Sequence, residues 1–176
     1  MERIAIVFGS NDGNTEDAAR RISELLKDRE HDLLDVRASG VETLQEYDVL
    51  LVGASTWYIG ELQDDWDVNF PKLDGLDFSG TRVAFFGAGD SSGYPDNFLD
   101  SLGILWEKFS ELGASLVGTW PSEDYDFIES RALMESGNEF VGLGIDNDNE
   151  GEKTLARIDA WVSKLRGDLE WASTAN

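Results

Sequence analysis

The sequence predicts an α/β protein built on a doubly wound, five-stranded parallel sheet with helices on both faces. Three observations point there. Continuous apolar runs of strand length recur along the chain, stretches with a helical apolar stripe lie between them, and the two kinds alternate throughout. Such alternation requires right-handed crossovers. In sheets of this kind ligands bind beyond the carboxyl ends of the strands, at the switch point.

The first strand is Ile4 to Phe8, and Thr15 to Lys27 follows as a helix with Ala18, Ile22, Leu25 and Leu26 on one face. Asp32 to Val36 is more polar and suits an edge strand. Val49 to Ala54 is the third strand, followed by a short helix from Leu62 to Phe70 that turns Leu62, Trp66 and Phe70 inward. Val83 to Gly87 is the fourth, leading into a helix over Asn97 to Leu112 with Phe98, Leu102, Leu105, Phe109 and Leu112 as its stripe. The fifth strand comes in two pieces, Ser115 to Thr119 and Phe140 to Ile145. Lys153 to Arg166 closes the pattern as a helix burying Leu155, Ile158, Val162 and Leu165. No repeat, linker or low-complexity tract interrupts it, so residues 1–176 are expected to form one domain.

Composition removes several function classes. Without cysteine there is no disulfide, iron–sulfur cluster, thiolate zinc site or cysteine nucleophile, so any redox chemistry needs an organic cofactor. The single histidine, His31, excludes multi-histidine metal sites and is expected on an exposed loop between Glu30 and Asp32. Thirty-six acidic against fourteen basic residues give a net charge of -22, which repels nucleic acid and anionic membranes and attracts basic surfaces. The apolar stretch in MERIAIVF is too short for a signal-peptide core or a membrane span, so a cytoplasmic protein is expected.

Three loops at the expected binding edge carry unusual residues. Gly9-Ser10-Asn11-Asp12-Gly13-Asn14-Thr15 joins a strand to a helix start, where converging N–H groups and the helix dipole suit a phosphate. The same residue types also make ordinary caps and turns, so this loop alone leaves both readings open. Ser55-Thr56-Trp57-Tyr58-Ile59-Gly60-Glu61 puts an aromatic pair just beyond a buried strand, well placed for a flat ligand. Gly87 to Asn97 adds Tyr94 within a flexible loop. One cradle and two aromatics at one edge describe a site for a planar heterocycle with a phosphate tail.

The segments FGSNDGNTE, GASTWYIGELQDDW, FGAGDSSGYPDNF and FVGLGIDNDNE, in this order and spacing, resemble a long-chain flavodoxin over essentially the whole chain. The resemblance implies strand order 2-1-3-4-5 with FMN at the switch point between the first and third strands, the arrangement described for flavodoxin. It also implies that Trp120 to Glu139 is the insertion that splits the fifth strand in long-chain members. Carried across by position, Ser10, Asn11, Asp12, Gly13, Asn14 and Thr15 would hold the FMN phosphate, with the hydroxyl of Thr56, next to Ser55, as a further donor. Trp57 and Tyr94 would sandwich the isoalloxazine ring. Main-chain groups of Tyr58, Ile59, Gly60, Gly89 and Asp90 and the Asn97 side chain would meet its polar edge, with Phe98 alongside, and Asp148 would accept from a ribityl hydroxyl. In the family the peptide between the residues matching Tyr58 and Ile59 can flip toward flavin N5–H. That asks for a positive φ that neither side chain adopts cheaply.

Asp12 departs from the family, many of whose members have threonine there. Its carboxylate would repel a phosphate dianion, unless it turns away to serve a helix N–H. Asp146-Asn147-Asp148-Asn149-Glu150-Gly151 resembles the start of an EF-hand calcium loop, but Arg157 occupies the position of the bidentate glutamate, so no calcium site is expected.

The function implied is a low-potential one-electron carrier with tightly, non-covalently bound FMN, without catalytic residues or metal, and a monomer is expected. Its partners would be basic redox proteins such as a ferredoxin/flavodoxin–NADP reductase, together with electron acceptors. The nearest rival is an FMN-dependent NAD(P)H:quinone reductase of the same fold. A receiver-type signalling domain shares the sheet order but wants a phosphorylatable aspartate after the third strand, where this chain has Ser55-Thr56-Trp57.

Overall fold

The computed structural model describes residues 1–172. Its elements alternate much as the apolar pattern predicts. They run β1 (Ile4–Gly9), α1 (Asn14–Leu25), β2 (Asp32–Asp35), the short α2 (Val36–Ser39), β3 (Val49–Ala54), the hairpin strands β4 (Thr56–Trp57) and β5 (Glu61–Leu62), and α3 (Asp64–Asn69). There follow β6 (Arg82–Ala88), α4 (Asp100–Glu111), β7 (Ser115–Leu116), β8 (Trp120–Pro121), β9 (Glu139–Phe140), β10 (Gly142–Ile145), α5 (Asn147–Glu150) and α6 (Thr154–Asp168).

The main sheet is parallel, in the order β2-β1-β3-β6, and its last position is shared by two strands. β7 pairs with β6 at Arg82 and Val83, while β10 pairs with it from Phe85 to Ala88. The split fifth strand and the order 2-1-3-4-5 are therefore observed. The antiparallel pair of β8 and β9 closes the base of the insertion between the two pieces.

Strand periodicity divides the core into two layers. Val7, Val52 and Phe85 face Trp66, Leu102 and Phe109 on the side of α3 and α4. Ile6, Leu51 and Phe86 face Ile22, Trp161 and Leu165 on the side of α1 and α6. β1 and β3 are buried along their whole length, as strands covered on both faces must be, whereas β2 is half exposed at the edge.

Three local expectations change. The helix expected from Asn97 starts at Asp100, because Leu99 adopts a left-handed conformation with φ 60° and so cannot continue a helix. Leu155 is 62% exposed, and fully buried Trp161 takes its place in the stripe with Ile158, Val162 and Leu165. At 3.6 residues per turn Leu155 stands roughly 70° around the helix from the middle of that stripe, past its edge. His31 is half buried: its Nδ1–H donates to the Arg29 carbonyl at 2.8 Å and its Nε2 lies 2.7 Å from Ser23 Oγ. Among the described residues, no helix is long and apolar enough to cross a membrane.

Candidate functional site

The loops leaving β1, β3, β6 and β10 surround one cleft of about 250 Å³, beyond the carboxyl ends of the strands where ligands bind in such sheets. Asp12 and Asn14 line it after β1, Ser55, Thr56, Trp57 and Tyr58 after β3, Gly89, Asp90 and Tyr94 after β6, and Asp148 after β10. Ala88 and Asn147 line it too and were not anticipated. Each adjoins an anticipated residue at the carboxyl end of a strand, and that position was the available signal.

The loop after β1 is shaped by glycine. Gly13 precedes α1 with φ 93°, a left-handed turn that other residues enter at a cost. Ser10 Oγ accepts from the Gly13 N–H at 3.0 Å. Asp12 Oδ1 accepts from the Asn14 N–H and its Oδ2 from Asn14 Nδ2, both at 3.1 Å. The carboxylate thus serves the first turn of α1, as an aspartate before a helix can. Thr15 is fully buried and its Oγ1 has no hydrogen-bond partner. An orphaned buried hydroxyl costs about 1–3 kcal/mol.

The aromatic wall is a hairpin in which Thr56 pairs with Leu62 and Trp57 with Glu61, leaving Tyr58, Ile59 and Gly60 as its loop. Tyr58 has φ 48° and Gly60 φ 74°, so the left-handed conformation that Tyr58 was expected to resist is adopted, at about 1–2 kcal/mol. The half-buried Trp57 is steered by its indole N–H, which donates to Ser55 Oγ at 2.7 Å. The Thr56 hydroxyl points to α4, 2.8 Å from Ser101 Oγ and accepting the Ser101 N–H at 3.1 Å. It anchors the hairpin to the helix. Tyr58, Ile59 and Tyr94 are 61%, 77% and 49% exposed around the opening.

Asn97, Gly60 and Phe98 stand behind the wall. Asn97 Nδ2 donates to Asp100 Oδ2 at 3.1 Å, and the buried Asp100 also accepts the Arg131 N–H of the insertion at 2.7 Å. Gly60 lies against the same carboxylate, where a Cβ would collide. Phe98 does not reach the cleft. Buried beneath Gly89, it packs on Tyr125, Phe127 and Phe140 at ring separations of 5.7, 5.8 and 5.9 Å. Asn11 turns from the cleft to Gln63, whose Nε2 donates to Asn11 Oδ1 at 2.9 Å. Gln63, Asp100 and Ser101 escaped the sequence reading because a polar residue in or beside a helix ordinarily faces solvent.

With these loops placed, comparison with known proteins is direct. A family model described as Flavodoxin matches residues 6–161. The chain belongs to the flavodoxin family. A flavodoxin from a Picosynechococcus species is 46% identical over 167 residues, spanning 94% of this chain and 97% of that one. Flavodoxin 1 of Escherichia coli is 43% identical over 169 residues, 96% of each chain. Among solved structures, a Fusobacterium nucleatum flavodoxin bound to flavin mononucleotide is similar with a TM-score of 0.88 and 25% identity, covering 95% of this chain and 98% of that chain.

Carboxylates crowd one end of this flavodoxin cleft. Asp90, Asp146 and Asp148 bring carboxylate oxygens within 4.8 Å of one another. Buried Asp146 is spoken for, accepting from Ser91 Oγ at 2.5 Å and the Asn149 N–H at 3.2 Å. Asp90 accepts the Gly93 N–H at 2.8 Å and Asn149 Nδ2 at 2.9 Å, and the bond from Gly93 leads in holding its carboxyl below the ordinary range. Partial desolvation, then the charges of Asp90, Asp146 and Asp12, push Asp148 upward. Arg157, at the position where a calcium loop needs glutamate, is buried with its Nη2 3.1 Å from Glu150 and 3.2 Å from Asp124, its guanidinium 4.1 Å over the Tyr125 ring.

Proposed function

We propose that this chain is a low-potential one-electron carrier that holds FMN tightly but not covalently. It would shuttle electrons between a basic reductase, such as a ferredoxin/flavodoxin–NADP reductase, and acceptor proteins. One observation carries this reading: the orphaned hydroxyl of Thr15 belongs to the first turn of α1, next to Asn14, which lines the same cleft as Trp57 and Tyr94. A phosphate held by Ser10 to Thr15 would give that hydroxyl its acceptor and meet the positive end of the helix dipole. The two rings would take the faces of the isoalloxazine. The peptides of Tyr58 to Gly60, with Gly89 and Asp90, would meet its polar edge, while the Asn97 side chain, turned to Asp100, would stay behind the wall, and Asp148 would accept from the ribityl chain.

Bound FMN supplies the electron chemistry. The chain sets how much added charge its surroundings tolerate. Glu61, Asp64, Asp65, Asp67, Asp90 and Asp96 lie on the segments that follow β3 and β6, Asp90 in the cleft itself, and so much negative charge disfavours more, which supports a low potential. The exposed rings of Tyr58 and Tyr94 and the Ile59 side chain form an apolar patch within that acidic rim, suited to brief contact with a basic partner. The relatives named flavodoxin support a carrier over the quinone-reductase alternative. A cytoplasmic monomer fits the same reading.

Titrating FMN into the apoprotein should quench flavin emission, and adding NADPH alone should leave the flavin oxidised. Absent quenching would end the proposal, while rapid NADPH oxidation would favour the reductase. Electron transfer to a basic reductase should slow as salt rises, since screening shortens the reach of the acidic rim. Rates that ignore salt would assign the charge to solubility instead. Asp12→Thr should tighten FMN binding by no more than about fivefold. Threonine removes a charge worth about 1 kcal/mol in water yet can still accept the Asn14 N–H. Unchanged or weaker affinity in the same titration would show that the Asn14 contact outweighs repulsion.

A further inference from the structure

Gln63 stands between the phosphate loop and α3. We propose that it is a positioning residue for the anion end of the cleft, fixing the Ser10–Thr15 loop in its binding shape before the ligand arrives. The inference rests on the FMN reading above.

The side chain is fully buried and meets three partners. Its Nε2 donates to Asn11 Oδ1 at 2.9 Å and to Asp65 Oδ2 at 2.8 Å, and its Oε1 accepts the Trp66 N–H at 3.2 Å. Trp66 is equally buried, and its indole N–H donates to the Gly53 carbonyl of β3 at 2.8 Å. The amide is thus tied to the sheet on one side and to the loop on the other. β1 leaves no slack between them, since a Cβ on Gly9 would collide with Gln63 Oε1 and Trp66 Cδ1.

Few side chains meet these demands. Two N–H donors and one acceptor on a neutral group of this length describe glutamine. Glutamate would set a second carboxylate against Asp65, and methionine would fill the space with no donor. Asn11 is exposed, so the bond from Gln63 supplies the restraint that burial does not. A loop already held in one shape spends less binding energy on ordering, and that difference appears as affinity for the phosphate.

Riboflavin separates positioning from general damage, because it carries the same ring as FMN without the phosphate. Affinities for both flavins would be measured by quenching in the wild type, Gln63→Met, Asn11→Ala and the double variant. Gln63→Met should weaken FMN about tenfold and leave riboflavin within twofold. The double variant should lose no more than Asn11→Ala alone, because the two residues act through one bond. An unchanged ratio of FMN to riboflavin affinity in Gln63→Met, or additive losses in the double variant, would overturn the inference. Should Gln63→Met fail to fold, the uncharged Gln63→Leu gives the same comparison, a fallen ratio supporting the role and an unchanged one removing it. A wild type that quenches neither flavin would refute the cofactor reading instead.

Discussion

Trp161→Ala should cost the folded chain about 3–5 kcal/mol, the range for deleting a large aromatic side chain from a core. Trp161 is fully buried, packs on Phe86 with ring centroids 6.0 Å apart, and donates its indole N–H to the Gly118 carbonyl at 2.7 Å. Removing it opens a cavity between α6 and the sheet and leaves a buried carbonyl unpaired. For a chain of this size each kcal/mol moves the melting temperature by about 2–4 °C, so a fall of roughly 10 °C is expected in thermal unfolding of the apoprotein. A loss below about 1 kcal/mol would mean that α6 is not held by this residue.

Trp57→Ala should weaken FMN binding by about 30-fold, roughly 2 kcal/mol, as expected for an aromatic anchor of a ligand face. Trp57 is half buried, and its bond to Ser55 holds the ring plane before a ligand arrives. Trp57→Phe keeps a flat ring but loses that bond, so it should fall between the two. Flavin fluorescence titration reads both, and the apoprotein should unfold at nearly its usual temperature. Affinity within threefold of the wild type for Trp57→Ala would remove Trp57 from the ring-binding wall.

The two tryptophans show where sequence reading succeeds. Trp57 was legible because an aromatic after a buried strand lies at a known binding edge whatever the details of packing. Trp161 was not, since the helical stripe of α6 admits two neighbouring faces and Leu155 fits one of them. Gln63 and Asp100 were less legible still, for they look like solvent-facing polar residues until their partners, Asn11 and Arg131, arrive from far along the chain.

The sequence by itself determined the layered α/β architecture, the split fifth strand and the loops that meet at one edge. Those features follow from local apolar periodicity and from the short reach of loop residues, which are written in consecutive positions. Only the tertiary structure decided that Thr15 hides an unpartnered hydroxyl, that Thr56 turns to Ser101, that Tyr58 accepts a left-handed backbone and that Phe98 supports Gly89 from the core. These outcomes depend on which distant groups compete for the same space and the same hydrogen bond, and that competition is settled when the chain packs.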